Sequence, residues 1–167
     1  STLFGGRPTE RNNMRMYNCT YSPCYRPRFF AEAFWLLPSG CGTGFSLRAK
    51  DINRLPRLLA PSEMIRRERR RHMVSDSIEG WAHAVNLLIE SYLHRGYYED
   101  YYDYKFDFSL IRKKGAPISS GGNAPGYEPL AKALEEIEKL LSRLVLVKMP
   151  RLRSIDCFDI MMVLSEA

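Results

Sequence analysis

The 167-residue chain has few of the residues that usually mark a catalytic or metal site. Its three histidines, His72, His83 and His94, are spread apart, and no Ser-His-Asp arrangement suggests acyl transfer. The four cysteines, Cys19, Cys24, Cys41 and Cys157, include no C-x-x-C pair, which argues against a zinc site. No run of about 18 uninterrupted apolar residues is present, so no membrane-spanning helix is expected. The opening residues lack a basic stretch followed by an apolar one, as a secretory signal would have. The expectation is therefore reduced thiols in a cytoplasm. No internal repeat is visible, and the first residue is Ser1 rather than Met, as expected for a processed or trimmed piece.

What is present fits a globular domain with a real core: 45% hydrophobic and 26% charged residues. The formal net charge is +6, and five arginines fall in the run Arg66-Arg67-Glu68-Arg69-Arg70-Arg71. This run reads as a solvated helix or loop face. The sharper alternative is a site for phosphate or an acidic partner. Nucleic acid is not expected, because the run has neither interleaved aromatics nor a known module.

Helical and strand patterns alternate, which makes the class α/β. Residues 1–15 read as an irregular entry, Met14 to Thr20 as a strand, and Phe29 to Leu37 as a helix stopped by Pro38-Ser39-Gly40. Gly44 to Arg48 reads as a second strand. Residues 48–73 show no clear period, although Ser62-Glu63 can open a short basic helix. Ser75 is expected to cap a helix carrying Ile78, Trp81, Val85, Leu88 and Tyr92 on one face. Tyr104 to Phe108 alternates like a strand. Tyr127 to Leu146 reads as a long helix with a stripe of Leu130, Leu134, Ile137, Leu141 and Leu144, leaving Glu135, Glu136 and Lys139 outside. A last helix is expected from Asp156 to Ala167, with Asp156 and Asp159 at its favourable end for carboxylates.

Between the last expected strand and the long helix, the chain runs through Gly115, Pro117, Gly121, Gly122, Pro125 and Gly126. Glycine allows positive φ and close backbone approach, and proline fixes direction, so this is a shaped loop feeding a helix. Alone it is a weak nucleotide signal. The weight comes from three neighbours: Tyr17-Asn18-Cys19-Thr20, Ser39-Gly40-Cys41-Gly42-Thr43-Gly44-Phe45-Ser46 and Ile155-Asp156-Cys157-Phe158-Asp159-Ile160. Together the four blocks resemble, in order, the catalytic subunit of ribonucleotide reductase in its adenosylcobalamin-dependent form.

The resemblance implies the first half of a ten-stranded α/β barrel, as one partial catalytic domain with residues 48–73 the poorest match. It implies that Cys19 supplies electrons to the nucleotide's 2′-carbon and becomes half of a disulfide with a cysteine of the other half-barrel. Two thiols forming a disulfide give up two electrons, which matches loss of the 2′-hydroxyl. Asn18 and Gly42, with Ser1 or Thr2, match substrate-binding positions. Arg112 matches the residue holding the effector deoxynucleotide's phosphates, and Ser119, Gly121, Gly122 and Asn123 fall in the first specificity loop.

Beyond these blocks the family continues into the element carrying the radical cysteine. The expectation is therefore a fragment or split subunit, inactive alone, whose partner is the complementary half of the barrel. Adenosylcobalamin is expected to bind the complete enzyme and not this chain alone. A buried structural role is the alternative for Cys19, as is a local pairing with Cys24. For Arg112 the alternative is an ordinary basic turn. For the whole chain, the other reading is a non-catalytic nucleotide-binding or interaction module derived from the half-barrel, and a metal-radical reductase is a third.

Overall fold

Two parallel strands cannot be joined by a tight turn, so each such pair needs a crossover that carries the chain back. The computed structural model, which describes residues 18–94, 96, 100–118 and 122–167, contains two such units. In the first, β1 (Cys19–Pro23) and β2 (Gly42–Ser46) are bridged through α1 (Phe29–Leu36). Their register pairs Cys19 with Gly42 and Pro23 with Ser46. Two short helices follow, α2 (Ala49–Ile52) and α3 (Pro61–Ile65). The second unit pairs β3 (Glu68–Met73) with β4 (Tyr102–Asp107) through α4 (Ile78–Glu90). Its register runs from Glu68 opposite Tyr102 to Met73 opposite Asp107. Helices α5 (Glu128–Leu146) and α6 (Ser154–Ser165) complete a mixed α/β arrangement.

The core lies where the helices meet. Phe29, Phe30 and Phe34 of α1, Val85 and Leu88 of α4, the expected α5 stripe, and Ile160 and Leu164 of α6 form one buried cluster. Tyr92 is buried among them, and its hydroxyl is satisfied by Ser142 Oγ at 2.7 Å. Cys24 and Cys157 are fully buried, and contact with the Cys24 thiol together with burial pushes the Cys157 thiol above its ordinary range. Cys24 does not pair with Cys19: the cysteines are free, and β1 separates exposed Cys19 from buried Cys24.

Several boundaries move for local reasons. Cys19 opens β1 rather than closing a strand, and residues 14–17 of the expected strand lie outside the described residues. The α4 cap is Ser77, whose Oγ accepts from Gly80 N at 3.0 Å, not Ser75. Ser75 instead packs over Gly80, where a Cβ would run into Ser75 Oγ and lie 2.6 Å from its carbonyl oxygen. Helix α6 begins two residues before Asp156, whose carboxylate accepts from Arg153 N at 2.8 Å and pairs with its guanidinium. Burial opposes ionisation there, but the Arg153 contacts win and hold the carboxyl below its usual value.

The largest departure is the arginine run, which forms neither a helix nor a loop face. Most of it is β3, with Arg70 lying 3.7 Å from the centroid of the Tyr102 ring. Pairing with β4 and contact with α4 outweigh the low strand propensity of a charged run. Residues 48–73 also gain order from Arg57, which grips Glu63 through both guanidinium nitrogens at 2.7 and 2.8 Å. That grip, helped by Ala60 N, holds the Glu63 carboxyl down at about 2. Among the described residues no helix is long and apolar enough to cross a membrane, and no group of three or more metal-ligating side chains converges.

Candidate active site

Residues opposite each other in a parallel pair share a face, so register decides what surrounds Cys19. Gly42 N donates to Asn18 O at 3.0 Å, which locks the two strand beginnings together. Cys19 is exposed, and its partner Gly42 offers no side chain. A Cβ on Gly42 would sit 3.4 Å from Asn18 O and 3.7 Å from Cys19 Cβ, ordinary contact that would nevertheless roof the space beside the thiol. Two residues on, Gly44 stands opposite exposed Tyr21, and a Cβ there would lie 3.7 Å from the tyrosine ring. Neither glycine has positive φ, so their smallness serves space rather than backbone conformation.

The result is a bare strip of β2 backbone, Gly42 to Gly44, flanked by a free thiol and an exposed phenol. Sequence reasoning singled out Cys19, Asn18 and Gly42, held Gly44 only within the Ser39 to Ser46 block, and missed Tyr21. The period-two spacing of the glycines was the available signal. Cys41, just before the strip, is buried and free. Ser1 and Thr2 lie outside the described residues.

A second cluster follows β4. Arg112 is exposed, and its Nε pairs with Asp76 Oδ2 at 2.5 Å while Nη1 reaches Pro117 O at 3.5 Å. Pro117 in turn bridges Asn123, and Ala124 N donates to Ala116 O at 2.7 Å. The glycine-rich segment is thus a folded-back loop, with Gly115 and Gly122 both at positive φ. It brings Gly122 and Asn123 to the side of Pro117, next to Arg112. Stacking of Phe108 on Tyr127, with ring centroids 5.5 Å apart, ties the loop's two ends. Ser119 and Gly121 lie outside the described residues. Cys19 opens the first strand pair, whereas Arg112 lies in the loop after β4 of the second.

No protein-family model matches the chain. Among curated proteins, a probable adenosylcobalamin-dependent ribonucleoside-triphosphate reductase of Dictyostelium discoideum is 45% identical over 75 residues, covering 44% of this chain and 9% of that protein. A putative reductase of the same description from Mycobacterium phage D29 is 39% identical over 75 residues, covering 42% of this chain and 10% of the relative. In both cases the match spans a tenth or less of the relative's length. Among solved structures, a B12-dependent (class II) ribonucleotide reductase superposes with a TM-score of 0.75 at 22% identity, covering 89% of this chain and 27% of that one. In part of its sequence, and in the fold of nearly all of its length, this chain is similar to the adenosylcobalamin-dependent, class II ribonucleotide reductases.

Proposed function

We propose that this chain is a fragment or split subunit of a ribonucleotide reductase, forming the first half of its barrel and working only with the complementary half. The observation that carries the reading is the exposed Cys19 thiol beside the side-chain-free strip of Gly42 and Gly44. A nucleotide's sugar needs close, unobstructed access to a thiol, and a strand bared by glycines supplies it. In this reading Asn18 lies at the substrate phosphates and Gly42 forms the floor under the ribose. Cys19 and a second thiol from the other half are oxidised to a disulfide. Of the two hydrogens they release, one takes the place of the 2′-hydroxyl on carbon and the other leaves with that hydroxyl as water. Arg112, Gly122 and Asn123, with Ser119 and Gly121, form part of the site for a deoxynucleotide effector.

The described residues alone do not fit adenosylcobalamin. A corrin ring needs a broad enclosing wall, and the strip beside Cys19 is an open strand end. A cleft of about 650 Å³ lies on α1 and α4, lined by residues including Trp35, Glu79 and His83, but Cys19 and Gly42 are not part of it. In this reading the cofactor is bound by the assembled enzyme and not by this chain alone.

The test is co-expression with a polypeptide that completes the barrel, followed by multiple-turnover ribonucleotide reduction with a dithiol as reductant. Cys19→Ser keeps the size of the side chain but cannot form a disulfide, so turnover should stop while nucleotide still binds. Cys24→Ser and Cys41→Ser should retain activity. A Cys19 variant turning over at the parent rate would remove the role assigned here, whereas an assembled parent that binds nucleotide without turnover would favour a non-catalytic nucleotide-binding module.

A further inference from the structure

The arginine run leaves a charge arrangement that the nucleotide reading does not use. Strand alternation sends Arg70 and His72 toward α4, where the His72 ring lies 5.2 Å from that of His83. Arg69, Arg71 and Met73 therefore face the other way, and register sets Asp103, Lys105 and Asp107 beside them. Arg71 stands directly opposite Lys105. A cross-strand pair of like charges destabilises a sheet, and a broken local rule of this kind often marks function.

The surrounding carboxylates do not neutralise the face. Asp103 is shared by Arg67, Arg69 and Lys105 at 3.5, 3.7 and 4.0 Å, and Asp107 pairs with Arg71. Among the described residues, two carboxylates thus serve four cations. The carboxylates are also sunk, with side chains 21% and 14% exposed, while Arg69, Arg71 and Lys105 stand out at 78%, 76% and 55%. An approaching molecule meets positive charge over an open cleft of about 380 Å³ lined by Arg69, Arg71, Lys105, Phe106, Phe108 and the sunken Asp107.

We propose that this outward face of the β3–β4 sheet is a docking surface for an acidic polypeptide segment. Its carboxylates would close on Arg69, Arg71 and Lys105. Spaced carboxylates suit cations that alternate with sunken aspartates, whereas a compact polyphosphate would bring dense negative charge against Asp103 and Asp107. Single-stranded nucleic acid needs rings for its bases to stack on. Here Tyr102 and Tyr104 lie on the opposite face, Phe106 is stacked on Tyr104, and Phe108 is stacked on Tyr127. The surface goes beyond the nucleotide reading and stands whether or not Cys19 reduces anything.

The probe is a fluorescent hexaglutamate peptide titrated against the 167-residue chain at low salt, read by anisotropy. Binding should weaken with added salt, and by about tenfold or more in an Arg71→Ala, Lys105→Ala double variant. An Arg143→Ala, Lys148→Ala variant, which removes equal charge elsewhere, should bind like the parent. Carbodiimide coupling should join a peptide carboxylate to the Lys105 amine as an amide, the carbodiimide taking up the water. Lys105→Arg should lose that cross-link and keep the affinity. Any of four results would overturn the proposal: no binding, equal weakening by the remote variant, cross-links mapping to other lysines, or displacement by tripolyphosphate or an oligonucleotide at lower concentration.

Discussion

Arg112 and Asp76, 36 residues apart in sequence, meet in an ion pair of 2.5 Å between Nε and Oδ2. The pair joins the loop after β4 to the residue preceding the α4 cap. With side chains 41% and 30% exposed, it contributes at most about 1 kcal/mol to stability. Arg112→Ala should therefore leave the fold intact. If the guanidinium holds effector phosphates, the variant should weaken deoxynucleotide binding in the reconstituted enzyme by roughly 1.5–3 kcal/mol. Isothermal titration reads both states, and unchanged affinity would take Arg112 out of the site.

Gly42 offers a graded test of the bare strip. Gly42→Ala adds only ordinary contacts, at 3.4 and 3.7 Å, and should fold normally. Gly42→Leu adds bulk beside Cys19 on an exposed strand end, so stability should again hold. Substrate affinity in the reconstituted enzyme should fall stepwise from glycine to alanine to leucine. A leucine variant with parental KM would show that this strand is not the substrate floor.

The contact of β3 with α4 should respond to pH through His72. Burial, and next the charge of neighbouring His83, hold the His72 imidazole below its ordinary value. The rings facing it are Tyr104 and Phe106 on β4 and His83 on α4. A depressed folded value means the neutral ring is favoured in the native state. Its contribution is complete above about 6.5, the unfolded value, and is lost as pH falls below it. Urea titrations between pH 7.5 and 5 should show this loss, and His72→Phe should flatten it. An equally steep profile in the variant would assign the effect elsewhere.

Gly80→Ala tests which of two opposing effects wins. In a helix interior alanine is favoured over glycine by about 1 kcal/mol. Here the added carbon collides with Ser75, so the turn before α4 must open and disturb the Ser77 cap, itself worth about 1 kcal/mol. Overpacking costs typically 1–3 kcal/mol more. Net destabilisation is expected in thermal melts, and Ser75→Gly should partly rescue it. A stabilised Gly80→Ala would mean the approach of Ser75 is not fixed.

The contrast between α5 and β3 shows what the sequence makes legible. Helix α5 is readable because its buried leucines recur at helical spacing with charges opposite, a pattern that survives without knowledge of any neighbour. Strand β3 is hidden because arginine occupies both of its faces. Alternation becomes visible only once Tyr102 and His83 are known to lie on one side. The candidate site divides in the same way. The glycine loop and the Gly42 turn are local signals, whereas Asp76 beside Arg112 and Tyr21 beside Gly44 depend on pairing distant segments. The choice of Ser77 over Ser75 as cap turned on the close approach of Ser75 to Gly80.

The crossover connections of β1–β2 and β3–β4 also constrain the order of events when the chain folds. Neither ladder can zip up from a turn, because each strand meets its partner only after an intervening helix has reversed the chain. Long-range pairing of this kind is intrinsically slow. Helices α1 and α4 pack on each other, so their association is what joins the two strand pairs. Cys19 therefore has no fixed surroundings in an early folding intermediate, however much helix that intermediate contains. Thiol-trapping during refolding should find Cys24 protected when α1 docks, while Cys19 stays reactive throughout.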